Sequence, residues 1–131
     1  MAKLVTNERV DDIPVLLTTL QTMNLPGIIN DICPAHGNWG GLPIGETCAV
    51  WITHIISQAD HRLCHVQKWA SQHIHTLRLF FGMEVRELDF TDDRLGIILE
   101  KLSDDDIWEQ IESRLNQESL RVYDLDNPTV N

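Results

Sequence analysis

The sequence predicts an all-α domain, and three observations carry the prediction. Apolar residues recur at three- and four-residue steps through most of the chain, the period of an amphipathic helix. Several of these stretches open on a hydroxyl or an acid with further acids behind it, which suits the exposed amides of a helix N-terminus. Alternation of period two, the signal of a strand, is confined to a weak run at the end, LRVYDLDNPTVN. The expected architecture is a compact orthogonal bundle of about six helices, with a possible short strand at the C-terminal end.

Taken in order, Asp11 or Asp12 can cap a first helix with Pro14 in its opening turn, and Leu16, Leu17, Leu20 and Met23 then share a face. LPGIINDIC, from Leu25, reads as a short second helix stopped by Pro34. PAHGNWGGLPIG is a loop, being rich in the two residues that interrupt regular structure. Cys48, Trp51, Ile52, Ile55, Ile56 and Ala59 form a broad apolar stripe, which marks the third helix as the central one. Asp60 and His61 mark a break or cap. A fourth helix follows, with Leu63, Val66, Ala70, Ile74 and Leu77 as its buried stripe.

GMEVRELDF reads as a connector with room for a short extended piece. Thr91 before Asp92 and Asp93 opens a helix carrying Leu95, Ile98, Leu99 and Leu102. Ser103 before three aspartates opens another, with Ile107, Trp108, Ile111 and Leu115; Ser103 and Asp106 have capping-box spacing.

The chain has 131 residues, the size of one domain with one core, and 43% are hydrophobic against 23% charged, a soluble globular balance. The start lacks the apolar run of a secretory signal, and no segment is apolar for long enough to cross a bilayer, so a cytoplasmic location is expected. Three cysteines without CxxC spacing read as reduced thiols, with Cys33 and Cys48 as small core residues. The net charge of −10 is uneven. Residues 1–80 hold five Lys/Arg against six Asp/Glu, whereas residues 81–131 hold five against fourteen. All six histidines lie in the first part. Strong acidity opposes generic phosphate binding, so any nucleic-acid contact belongs on the near-neutral part.

The stretch ADHRLCHVQKWASQHIH, residues 59–75, holds four of the histidines. His61, Cys64 and His65 stand at i, i+3 and i+4, a spacing that could put ligands on zinc. Lys68 and Gln72 share that face, and no second Cys/His pair completes a tetrahedral set. A solvated helix face is the better reading. The acid clusters at Asp92/Asp93 and Asp104–Asp106 are explained as helix starts. No nucleotide-binding, nucleophile-elbow or HExxH motif occurs. In the loop, His36 and Trp39 are large groups among glycines. Trp39 is expected to fold back on the core, with a contact surface as the alternative.

The run from Asp11 to Leu125, with HGNW followed by GL, DHRL around His61 and LDFTDDRL leading into LSDD, resembles the N-terminal region of prokaryotic insertion-sequence transposases. These are DDE-type enzymes of the Tn5-like, RNase H-fold group. The resemblance implies an N-terminal arm at 1–10, a helical domain at 11–125, and at 126–131 the truncated start of a catalytic core. It implies a non-catalytic role in DNA-end binding or transpososome assembly, with transposon-end DNA, the catalytic core or a second copy as partners. No position matches a catalytic residue, and Mg2+ is expected only in the missing core. Candidate contacts are His36, Trp39, Arg62, Lys68 and Arg78. The rival reading is an acidic protein-interaction or dimerisation module that docks on a basic partner.

Overall fold

The computed structural model describes residues 12–33 and 39–126, with side chains as far as Arg121. Seven α-helices fill these residues: α1 (Ile13–Thr22), α2 (Leu25–Ile32), α3 (Ile44–Gln58), α4 (Val66–Ser71), α5 (Ile74–Phe81), α6 (Asp92–Leu102) and α7 (Asp105–Asp126). Two 3-10 turns, Leu63–His65 and Glu87–Phe90, join them. The all-α expectation holds, and among the described residues there is no strand. The expected C-terminal strand is a correction, because α7 continues through Asp126. Its weak alternation was outweighed by the helical repeat Trp108, Ile111, Leu115 that runs into it. Residues 127–131, the N-terminal arm and the loop residues 34–38 lie outside the described residues.

α3 is central, packing on α1, α2 and α4, while α7 lies across α2 and α6. The core gathers Ile13, Leu17, Ile28, Leu42, Ile44, Val50, Val66, Leu77, Phe90, Leu95, Ile98 and Ile111 with the buried thiols Cys33 and Cys48. Burial raises the pKa of both thiols, that of Cys48 to about 12. α3 approaches α2 closely because residue 45 is glycine. A Cβ there would overlap the Pro26 carbonyl oxygen. Asn30 of α2 then serves as the cap α3 lacks, accepting the Gly45 N–H at 2.7 Å and donating to Glu46 at 2.8 Å.

The stripe on α3 is rotated from its predicted position. Thr47, Thr53 and His54 are buried, whereas Ile56 is 55% exposed and Ala59 lies at the surface. Both threonines bond carbonyls one turn back, Thr53 Oγ1 to Ala49 at 2.7 Å and Thr47 Oγ1 to Pro43 at 2.9 Å, so their hydroxyls enter the core satisfied. The predicted fourth helix is three pieces: a 3-10 turn, α4 and α5, with the break at Gln72 and His73. His73 Nδ1 engages the Trp69 carbonyl at 2.7 Å, so the ring occupies the end of α4.

Leu99 and Trp108 were expected on apolar stripes, but both are about half exposed, at 50% and 48%. Thr91 caps α6 through the Arg94 N–H, as the sequence predicts. The cap of α7 shifts by one residue. Asp104 Oδ1 accepts the Asp106 and Ile107 N–H groups at 2.9 and 3.1 Å, and Ser103 instead bonds the Glu100 carbonyl. A carboxylate is the stronger acceptor for helix-end amides.

Candidate functional site

Two polar clusters of the described residues bear on function. The first is a closed lock around Asp89, whose side chain is fully buried. Asp89 accepts the Arg86 N–H at 2.8 Å, the Leu42 N–H at 3.2 Å and Arg86 Nη2 at 3.2 Å. Arg94 lies 3.8 Å from the same carboxylate and donates to the carbonyls of Asp89, Gly40 and Leu42. Its guanidinium sits 4.0 Å above the Trp39 ring, and Trp39 Nε1 donates to Leu42 O at 3.1 Å. Gly41, at φ 80°, is required because a Cβ would strike the Asp89 carboxylate. Arg86, Arg94, Trp39 Nε1 and the Leu42 N–H all find acceptors here, so the lock fastens loop 39–43 to α6. Trp39 does fold back on the core, as its structural reading predicts.

The second arrangement is open. α3 ends at Ala59, held in the left-handed region at φ 51°, and this turn sets Asp60 against α4. Asp60 Oδ1 accepts the Arg62 N–H at 3.1 Å and Arg62 Nε at 2.9 Å. Its Oδ2 lies 2.6 Å from His65 Nδ1. These bonds, those from Arg62 first, hold the Asp60 carboxyl well below the usual carboxylate range. Behind the pair is a pocket of about 200 Å3 lined by His54, Gln58, Asp60, His65, Lys68, Trp69 and Gln72.

His54 is 1% exposed and packs edge-on against Trp69, with ring centroids 5.2 Å apart. Its Nδ1 is buried without a hydrogen-bond partner among the described residues. Burial lowers its pKa, so the ring is neutral at neutral pH. His65, Lys68 and Gln72 fall at i, i+3 and i+7, with Lys68 on α4 and the other two at its N- and C-terminal ends.

The sequence-based candidates separate accordingly. Lys68 reaches the pocket with His65, and Arg62 stands beside it with its side chain 71% exposed, holding Asp60. His61 and Cys64 are exposed and line no part of the pocket. His65 is turned to Asp60 instead of joining them, and among the described residues no three His, Cys, Asp or Glu side chains form a group that could hold a metal. Arg78 is elsewhere, donating to the Val85 carbonyl at 3.0 Å and to Glu84. Trp39 belongs to the lock, and His36 lies outside the described residues.

Sequence reasoning missed His54, Trp69 and Gln72 as pocket residues. It also missed Asp89 with its two arginines. A histidine inside the apolar run AVWITHII was the available signal for the pocket.

A family profile described as "Domain of unknown function (DUF4277)" matches residues 5–114. The chain belongs to the DUF4277 family. No curated protein matches it, and neither does any solved structure. The DUF4277 match covers both arrangements and ends inside α7, at Arg114. In this DUF4277 chain no described helix is long and apolar enough to cross a membrane.

Proposed function

We propose that the chain is a non-catalytic, N-terminal helical domain of an insertion-sequence transposase, and that it contacts transposon-end DNA through the face carrying the 3-10 turn and α4. The family reading rests on the sequence resemblance. The DNA reading is supported by one observation: the stretch from His61 to Gln72 carries cationic and imidazole groups and no carboxylate of its own, with Glu87 of the neighbouring 3-10 turn accepting from Gln67 at 3.2 Å. His61, Arg62 and Lys68 are exposed together, and the nearby carboxylate Asp60 is already engaged by Arg62 and His65. The acids of α6 and α7 lie on other elements. Phosphate contacts need such a locally cationic patch even when the whole molecule is acidic.

The test is a titration of the intact chain with a duplex carrying a terminal inverted repeat. Binding that weakens steeply with salt, and weakens again on Arg62→Gln with Lys68→Gln, is the expected result. Absence of binding at low salt removes the DNA role.

A second reading, an acidic module docking on a basic partner such as the catalytic core, is favoured by α7. There Asp105, Asp106, Glu109 and Glu112 are exposed beside Trp108. Asp105→Asn with Asp106→Asn leaves the Asp104 cap intact and should abolish capture of a separately expressed core if this reading holds.

A further inference from the structure

We infer that the pocket between α3, the Asp60 turn and α4 is a binding site for a single phosphate group, held by His65, Lys68 and Gln72. The inference rests on the DNA reading only for one possible source of that phosphate, the backbone or end of a strand; free phosphate is the other.

Asp60 is the sole carboxylate in the lining, and both of its oxygens are engaged, one by Arg62 and the other by His65. Fixing His65 Nδ1 on Asp60 orients the ring and leaves Nε2 with no partner among the described residues. Lys68 and Gln72 have no side-chain partner among the described residues, so an ammonium and a carboxamide are also left over. Buried polar groups are normally satisfied, yet His54 Nδ1, in the wall of the same pocket, is not.

The unspent donors are the Lys68 ammonium, the Gln72 carboxamide N–H and, when the ring bonded to Asp60 carries both protons, His65 Nε2–H, a set that suits a tetrahedral oxyanion. Size agrees. A pocket of about 200 Å3 is well above the roughly 10–15 Å3 that one water needs on the same measure, and it has room for one phosphate group with some water.

The test uses the full chain labelled with 15N and with 13C at the histidine ring carbons. It is titrated separately with inorganic phosphate, with a short duplex, and with sodium chloride at matched ionic strength. The expected result is a saturable shift of the His65 ring and Gln72 side-chain signals with phosphate but not with chloride. Lys68→Gln, at an exposed position, should keep the fold and weaken that response by about tenfold, the scale of one charge-assisted hydrogen bond. If phosphate and duplex both move these signals, the site takes backbone phosphate. Response to phosphate alone supports the pocket while sinking its use on DNA. DNA binding with pocket signals that neither phosphate nor duplex moves overturns the pocket and leaves the DNA reading standing. No response to either probe, or a response unaltered by Lys68→Gln, also overturns it.

Discussion

Replacing Asp89 with alanine tests whether the lock holds the loop as described. The carboxylate is fully buried and accepts from two backbone N–H groups and one guanidinium, with a second guanidinium at 3.8 Å. Removing one partner from a buried ion pair costs about 3–5 kcal/mol, because the other charge is left uncompensated. Two features move the expectation to the lower end. The Arg86 side chain is 49% exposed and can turn to water, and Arg94 keeps three carbonyl acceptors. A loss of about 3 kcal/mol is expected. With a urea slope of about 1.5 kcal/mol per molar, that lowers the unfolding midpoint by about 2 M.

Asp89→Asn keeps one acceptor oxygen and loses the charge, so its cost should be about half as large. Urea unfolding followed by circular dichroism measures both. Acrylamide quenching at zero urea adds a local readout, since release of loop 39–43 should make Trp39 more accessible. Losses below about 1 kcal/mol for both variants, with quenching unchanged, would refute the reasoning, for a lock worth so little cannot be what fixes the loop.

Three further outcomes are expected. Burial depresses the pKa of His54 in the folded chain, so below about pH 6.5 the unfolded chain binds a proton that the folded chain refuses, and stability falls as the pH falls. His54→Gln should flatten the slope between pH 7 and the folded pKa, and an unchanged slope would place the titration elsewhere. Of the three cysteines, exposed Cys64 should react rapidly with an aromatic disulfide at pH 8, while Cys33 and Cys48 react only as the chain unfolds. Rapid titration of all three would contradict their burial. Ala59→Gly should stabilise the chain by up to about 1 kcal/mol, since the left-handed conformation costs alanine more than glycine, less the entropy of a freer unfolded chain. A lower melting temperature would show that this turn is unstrained.

How much could be read in advance follows from the range of the forces involved. Helix period and capping are local, so α1, α2, α3 and α6 lie close to their expected places, and Thr91 caps α6 as predicted. The break between α4 and α5 was hidden because Ala70, Ile74 and Leu77 keep their spacing across it. Only the contacts of His73 with the carbonyl and ring of Trp69 reveal it. The rotation of α3 was hidden for a related reason. Threonine counts as polar in a pattern, yet Thr47 and Thr53 enter the core with their hydroxyls bonded to their own helix. Asp89 joins positions 47 residues apart at the Leu42 N–H, and Arg94 reaches Gly40 across 54. No window of the sequence contains such pairs, so LDFTDDRL could be seen only as a connector and a helix start.

The two polar arrangements also separate the stretches that carried the resemblance by how their polar groups are engaged. Trp39, Leu42, Asp89 and Arg94 come from the HGNW–GL and LDFTDDRL segments, and they spend their hydrogen-bonding capacity on one another. Residues so engaged specify a loop; recruiting them for a ligand would mean breaking the lock. The DHRL segment behaves differently. Asp60 and Arg62 from the ADHRL turn satisfy each other, but in doing so they orient His65 and leave its second nitrogen, Lys68 and Gln72 uncommitted. A ligand can be gained there without undoing a native bond. On the proposed reading, binding at α4 would undo no native bond, whereas binding at the Trp39 loop would first cost the stability of the fold.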